Sequence, residues 1–163
     1  IGLVWAAGFL GFWAAGRLPS GWPLRLFVIG ALIGVQGAIG WWMVDSGLQE
    51  GMTSVASYRL AMHLGLAFVI LGLIAWAVLL LSRPAAALIA ARREGEGRLV
   101  SASTGLVHLL FAQVVLGALV AGIDAGRAFP TWPGMGGGFL PPDMWGLEPA
   151  WRNLFENAGT VQF

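Results

Sequence analysis

The sequence contains no cysteine and no lysine. Without cysteine, these 163 residues cannot form disulfides, thiolate metal sites, C-x-x-C redox centres or c-type haem attachments. Charged residues make up only 10% of the chain, against about 25% in ordinary globular proteins. The positive charges are all arginines, and the formal net charge is +1. A net charge this small gives no electrostatic signal of a nucleic-acid partner.

Apolar residues are abundant instead, at 58% of the chain. A water-soluble domain of this size buries only about 70% of its surface, so the excess apolar surface must face lipid. Nine tryptophans are present, and this residue type concentrates where a membrane meets water. The sequence opens with Ile1, inside an apolar run, and we therefore expect a fragment of a longer protein.

Four uncharged runs predict helices, namely Ile1–Gly16, Leu26–Val44, Leu60–Ser82 and Leu99–Ile123. A helix needs about 20 apolar residues to cross a bilayer. The last three runs are long enough, and the first is long enough if residues precede Ile1. The predicted fold class is an all-α membrane protein, a transmembrane helical bundle in a lipid bilayer.

The arginines orient these spans. Loops on one side hold six of them, and loops on the other side hold three. The positive-inside rule places the six in the cytoplasm, so residues 83–98 are predicted to form a cytoplasmic loop. The six are Arg17, Arg25, Arg83, Arg92, Arg93 and Arg98.

The long segment after the last span, residues 124–163, is predicted to lie outside the cell membrane. It has no apolar run long enough to span, and it is rich in Gly, Pro and Trp. Disordered chains are poor in aromatic residues, so we expect a compact cap over the bundle. The alternative is an interfacial belt without tight packing. The residues that favour a cap are Trp132, Trp145, Trp151, Pro130, Pro133, Pro141 and Pro142.

Polar side chains within a span are costly and need a reason. Four stand out: His63, His108, Gln36 and Gln113. Each could be a hydrogen-bonded packing residue, whereas a neutral imidazole could also ligate a metal or a haem iron. His63 lies three residues into its span, about 5 Å below the outer boundary. His108 lies near the inner start of its span, so the two imidazoles should be more than about 10 Å apart and cannot share one iron.

Arg59 precedes His63 by four residues, so both lie on one face of a helix. An arginine at the water boundary could hold a haem propionate while the histidine holds the iron. The alternative is an arginine that merely extends to the interface. For His108 and the two glutamines, packing is the favoured interpretation. The similar patterns Gln36-x-x-x-Gly40 and Gln113-x-x-x-Gly117 are compatible with an internal repeat or with chance.

Several segments together resemble haem A synthase of the type shared by alphaproteobacteria and mitochondria. They are VQGAIGWWMVDSGL (residues 35–48), SVASYRLAMHLGLAF (54–68), QVVLGALVAGIDAGRAFPTWPGM (113–135) and NLFENAGTVQF (153–163). The segments occur in the family's order and cover most of the chain. Pro130 and Gly134 depart from the family's pattern in the TWP segment.

The resemblance implies an eight-helix membrane enzyme built as two four-helix halves, each with a pair of histidine ligands near the outer face. Residues 1–82 would be the end of the first half, 83–98 the connecting cytoplasmic loop, and 99–163 the start of the second half. His63 then matches the second histidine of the first half, and Gln162 falls where the first half carries a glutamate. The family's symmetry relates its first and fifth helices, so Gln36 and Gln113 need not be symmetry mates.

The family oxidises a methyl group of haem O to the formyl group of haem A for cytochrome oxidase, with haem b as cofactor. The resemblance thus implies an oxidoreductase that binds haem through His63 and Arg59, with His63 as the metal ligand. The catalytic residues stay unidentified. The implied location is the bacterial inner membrane, with the mitochondrial inner membrane as the less favoured alternative. Candidate partners are haem O, haem A, haem O synthase, cytochrome oxidase assembly factors and a second copy of the chain. Two alternatives stay open: a bis-histidine cytochrome b electron carrier and a haem-free transporter.

Overall fold

The structure, a computed structural model, describes residues 1–48, 55–131 and 133–163. Its five principal helices are α1 (Gly2–Ala14), α2 (Pro23–Asp45), α3 (Ser57–Leu81), α4 (Ala85–Glu94) and α5 (Gly97–Gly122). Helices α2, α3 and α5 are long and apolar enough to cross a membrane. No strand occurs in the described residues. The predicted all-α transmembrane class is confirmed.

The three spanning helices begin earlier than their uncharged runs. Each starts two or three residues before the predicted run and ends within one residue of it. Helix α2 begins at Pro23, whose fixed φ suits the first helical position. Arg25, Arg59 and Arg98 lie inside the first turns, because a long arginine side chain can reach the interface while its backbone stays helical.

Helix α1 is 13 residues long, which is shorter than a full span. It ends in a Schellman motif, with Gly16 in the left-handed region at φ 63°. The amide of Arg17 donates to the carbonyl of Phe12, and that of Gly16 donates to Trp13. This closing turn separates α1 from the Pro/Gly connection that leads to α2.

Residues 83–98, predicted as a loop, contain helix α4. Pro84 caps the helix in an extended conformation, and an Ala-rich sequence with high helix propensity follows it. Arg92 and Arg93 lie in the last turn, where cations interact favourably with the helix dipole. Helix α4 was not predicted, because only apolar runs long enough to cross a membrane indicated helices. Its ten residues are too few to cross one. The side of the membrane on which α4 lies stays a prediction.

The chain divides into two compact units. Unit 1 comprises residues 1–38 and 66–103, and unit 2 comprises residues 39–65 and 104–163. In unit 1, the indole of Trp5 lies directly over Gly30, where any Cβ would overlap the ring at 2.1 Å. Gly30 therefore permits the close approach of α1 and α2. The predicted boundaries 1–82, 83–98 and 99–163 concern the halves of a longer protein and stay a prediction.

In unit 2, helices α3 and α5 pack antiparallel. A Cβ on Gly122 would lie 2.7 Å from the Cα of Ser57, and one on Gly65 would lie 3.5 Å from Val115. The buried centre of this contact consists of Ala61, Ala118 and Leu119, with Tyr58, Leu64, Val115, Phe155 and Val161 packed against it. Small residues let these helices approach closely, as expected inside a membrane.

Candidate functional site

His63 is half-buried on α3, six residues after the helix begins. Its imidazole packs against Gly40 of α2, where a Cβ would lie 2.8 Å from the ring Cε1 and 3.3 Å from Nδ1. Real Cβ atoms do not approach other atoms this closely, so only glycine fits at position 40 without a shift of the ring. The ring is therefore positioned by a neighbouring helix as well as by its own.

Arg59 lies one turn before His63, with 17% of its side chain exposed. Its guanidinium lies 4.3 Å from the centre of the Trp42 ring and donates a 2.7 Å hydrogen bond to the Trp42 carbonyl. Its Nε donates to the hydroxyl of Tyr58 at 3.3 Å. The carboxylate of Asp45, more exposed, lies 3.9 Å away. These two hydrogen bonds use two of the five guanidinium N–H groups.

The carboxyl end of α2 and the amino end of α3 are joined at two further points. The backbone amide of Ala56 donates to the Ser46 hydroxyl at 3.0 Å, and that hydroxyl donates to the carbonyl of Met43 at 2.6 Å. The rings of Trp42 and Tyr58 meet edge to face at 6.0 Å. The contact between Gly40 and His63 is thus backed by hydrogen bonds at the helix ends.

The segment after α5 packs as a compact cap, defined here as the described part of residues 124–163. Asn153, fully buried, donates to the carbonyls of Leu147 and Ala150 and accepts from the amide of Leu147. The Ser57 hydroxyl at the start of α3 donates to the Phe155 carbonyl at 2.7 Å. These contacts agree with the predicted compact segment, although Trp145 and Trp151, which suggested it, are exposed. Of the residues that suggested it, Trp132 lies outside the described residues.

The far end of the cap returns to its beginning. The Gln162 side chain accepts from the amide of Phe129 at 2.8 Å and donates to the Phe129 carbonyl at 2.9 Å. Phe129 in turn lies against Gly159 and Gly136. On the cap surface, a hydrogen bond to Glu156 raises the pKa of the Arg152 guanidinium above its usual value.

His108 has different surroundings. It is exposed on α5, and its Nδ1 lies 2.8 Å from the carbonyl of Thr104 on the same helix. The pairing of Ser57 with Gly122 and of Gly65 with Val115 puts His63 level with the vicinity of Leu116. His108 is eight residues further along α5, which corresponds to about 12 Å. The structure therefore keeps the two imidazoles apart, in agreement with the predicted separation.

The structure brings His63 and Arg59 together and adds three residues that the sequence did not single out for this site. They are Gly40, Trp42 and Tyr58. The signal in the sequence was a glycine beside two tryptophans at the end of a span, but sequence alone did not pair it with His63. Gln113 is exposed, and Gln36 is half-buried on α2 one turn before Gly40.

The donor set suits a haem better than a metal held by protein alone. No group of three or more His, Cys, Asp or Glu side chains that could hold an ion exists within the described ranges. A haem iron takes four ligands from its porphyrin, so one imidazole per axial position suffices. A half-buried histidine beside a membrane arginine meets that requirement.

Comparison with known proteins identifies the family. The COX15-CtaA family, described as cytochrome oxidase assembly protein, matches residues 1–163. The chain belongs to this family. The resemblance predicted from its sequence segments is confirmed, and none of the solved structures matches the chain.

The chain is similar to proteins of several organisms that are named Heme A synthase. The protein from Paracoccus denitrificans is 63% identical over 163 residues, which is all of this chain and 43% of the relative. The proteins from Dinoroseobacter shibae and Cereibacter sphaeroides are each 61% identical over all of this chain. The match covers 43% of the first protein and 44% of the second. The chain thus spans less than half the length of these relatives.

Proposed function

We propose that this chain is part of a haem A synthase, a membrane oxidoreductase that converts a methyl group of haem O to the formyl group of haem A. The observation that carries the proposal is the half-buried His63 imidazole, packed on Gly40 and one helical turn from Arg59. Relatives that are 60–63% identical across the whole chain carry that name. The described spans are uninterrupted helices, which does not favour a transporter with broken helices.

In this proposal, His63 is an axial haem ligand and Arg59 contacts a propionate. A bound haem would supply the iron for redox chemistry. His63 would offer a neutral imidazole whose plane is set by Gly40, and Arg59 would offer a cation at the polar edge of the site. Guanidinium N–H groups beyond those bonded to Trp42 and Tyr58 could bind a carboxylate.

The surrounding helices would contribute a low-dielectric environment. Apolar walls exclude water, which strengthens electrostatic interactions inside a site and protects reactive intermediates from side reactions. The cap, tied to α3 through Ser57 and Phe155, would cover the outer ends of α3 and α5. No side chain is assigned as a general base or nucleophile.

The wider organisation belongs to the same proposal. Residues 1–82 would complete a first four-helix half, 83–98 would connect the halves on the cytoplasmic side, and 99–163 would begin the second half. The protein would lie in the bacterial inner membrane, with haem b as cofactor and haem O as substrate. Haem O synthase, cytochrome oxidase assembly factors or a second copy of the chain would be its partners.

The test uses the full-length protein, expressed with a haem O synthase in cells that make no haem A. Extracted haems are separated and identified by mass, and the purified protein is examined by visible spectroscopy. We expect haem A in cells that carry the protein and none in cells that lack it. A haem b spectrum without haem A would favour a cytochrome b electron carrier, and a haem-free protein would favour a transporter.

A further inference from the structure

Unit 1 contains a cavity of about 940 Å³ between the start of α2, the end of α3 and helix α4. Its wall is largely apolar and includes Val28, Ile29, Leu73, Ala77, Leu80 and Ile89. Arg25 and Arg92 also line it, together with Trp22 and Trp76. A cavity with apolar walls, two cations and two tryptophans has the composition of a site at the membrane–water boundary.

The cations at this cavity lack acidic neighbours. Among the described residues, no Asp or Glu lines it, and Arg25 and Arg92 form no ion pair. Arg25 lies over the ring of Trp22 at 5.3 Å. A second cavity of about 400 Å³ shares Trp22 and Arg25 with the first and adds Arg83. Three arginines therefore line two adjoining cavities, and no carboxylate in the described part of the chain neutralises them.

Two of these arginines also lie where a helix favours a negative charge. Arg25 is in the first turn of α2, and Arg83 directly precedes Pro84, which caps α4. The amino terminus of a helix carries a partial positive charge, so a cation there is unfavourable unless an anion is near. An anionic group close to Arg25 would offset the unfavourable position of that cation at the start of α2.

We propose that this cavity binds an anionic phospholipid of the leaflet that faces the arginine-rich end of the bundle. The phosphate contacts Arg25 and Arg92, and an acyl chain follows the wall that includes Ile29, Leu73 and Ala77. Basic pockets between membrane helices on the cytoplasmic side recognise such headgroups. This proposal is independent of the haem site.

The test measures lipid binding to the purified full-length protein by native mass spectrometry. Phosphatidylglycerol, phosphatidylcholine with the same acyl chains, and inorganic phosphate are compared. We expect phosphatidylglycerol to be retained over the other two. The double variant Arg25→Gln/Arg92→Gln should bind it roughly 10- to 30-fold more weakly. The control Arg17→Gln/Arg98→Gln removes two charges from the same side but from neither cavity, and it should bind like the wild type.

A second variant addresses the apolar wall. Ala77→Trp fills the cavity without changing charge, and we expect it also to release phosphatidylglycerol. Equal losses in both double variants would show nonspecific attraction and overturn the proposal. Equal retention of phosphatidylcholine, or binding of phosphate alone, would also overturn the proposal. Absence of any retained lipid would overturn it too, since it would mean that the rest of the protein occupies the cavity.

A different observation carries a second inference, which rests on the proposed role of His63. We infer that Gly40 is a positioning residue that sets the plane of the His63 imidazole. A Cβ at position 40 would lie 2.8 Å from Cε1, so a methyl group must displace the ring. The helices cannot simply separate, because Arg59 binds the Trp42 carbonyl and Ser46 binds the Ala56 amide beside the contact.

The test compares Gly40→Ala with Gly37→Ala, one turn earlier on α2, where an added Cβ would meet nothing within 4 Å beyond the adjoining backbone of its own helix. In the full-length protein, we expect Gly40→Ala to shift the electron paramagnetic resonance signal of the haem, or convert it to high spin, and Gly37→Ala to leave it unchanged. Identical spectra for both variants would overturn the inference.

The double variant Gly40→Ala/His63→Ala covers the case in which Gly40→Ala fails to accumulate. Truncation of the ring removes the overlap, so the double variant should accumulate like His63→Ala alone. Failure to recover would show that Gly40 serves some other contact. If His63→Ala itself leaves the haem spectrum unchanged, the proposed ligand role fails, which is a separate result.

Discussion

Two histidines lie in the membrane helices of this protein, and their surroundings differ. Around His63, α2 and α3 meet through Gly40, and polar contacts from Trp42 and Ser46 close their ends. Around His108, the nearest bonded partner is the carbonyl of Thr104 on the same helix, and the ring is exposed. A residue type alone therefore says little about function in a membrane helix. What distinguishes the two sites is contact with a second element.

The strongest test of this comparison replaces each histidine with alanine in the full-length protein. His63→Ala should remove an axial ligand, so the haem is lost or changes spin state and haem A formation falls severely. His108→Ala should leave the haem spectrum unchanged, because its ring lies about 12 Å from the level of His63. Visible spectra and haem extraction report both outcomes. Loss of the haem absorbance in His108→Ala but not in His63→Ala would mean that His108, and not His63, is the haem ligand.

Arg59→Leu should have an intermediate effect. Iron ligation survives, but a charge-assisted hydrogen bond to a propionate is lost, worth about 1.5–3 kcal/mol. This corresponds to roughly 10- to 100-fold weaker haem binding. Arg59→Lys retains the charge but loses the planar guanidinium that binds Trp42 and Tyr58. Its haem affinity should therefore lie between those of Arg59→Leu and the wild type. Haem titration monitored by visible spectroscopy checks the series, and wild-type affinity in Arg59→Leu would contradict it.

A smaller effect is expected from the cap. Asn153→Ala removes a fully buried side chain and leaves the amide and carbonyl of half-buried Leu147 without their partner, at a cost of about 1–3 kcal/mol. Proteolysis between residues 128 and 150 should accelerate, and hydrogen exchange should rise near Ser57 before it rises near Thr104. Trp145→Phe changes an exposed ring and serves as the control. If hydrogen exchange rose equally along all of α5, the cap would not selectively stabilise the end of the helices that holds His63.

The smallest effect on function is expected from two cysteine variants. They test on which side of the membrane the α4–α5 connection and the cap lie. Gly95→Cys, between α4 and α5, should resist a membrane-impermeant thiol reagent added outside sealed cells. Ala128→Cys in the cap should react under the same conditions. Neither variant should alter the haem spectrum. Efficient labelling at position 95 from outside would overturn the predicted orientation of every span.

Sequence reasoning predicted the spanning helices well because lipid demands long uncharged runs, and Leu60–Ser82 differs from α3 by only three residues at one end and one at the other. It missed α4, whose ten residues carry no such signal. It placed His63 and Arg59 on one face of a helix from their spacing, which local geometry decides, whereas their role in haem binding stays a prediction. Gly40 and Trp42 could not be assigned to the same site, because their contacts with α3 depend on how two helices pack.

The paired hydrogen bonds between Gln162 and Phe129 have a consequence for how this region can diverge. They join two positions separated by 33 residues, so the intervening segment leaves and returns to one place. The free energy of closing such a loop grows only slowly with its length. Residues can therefore be gained or lost between these two anchors while Gln162 and Phe129 stay paired.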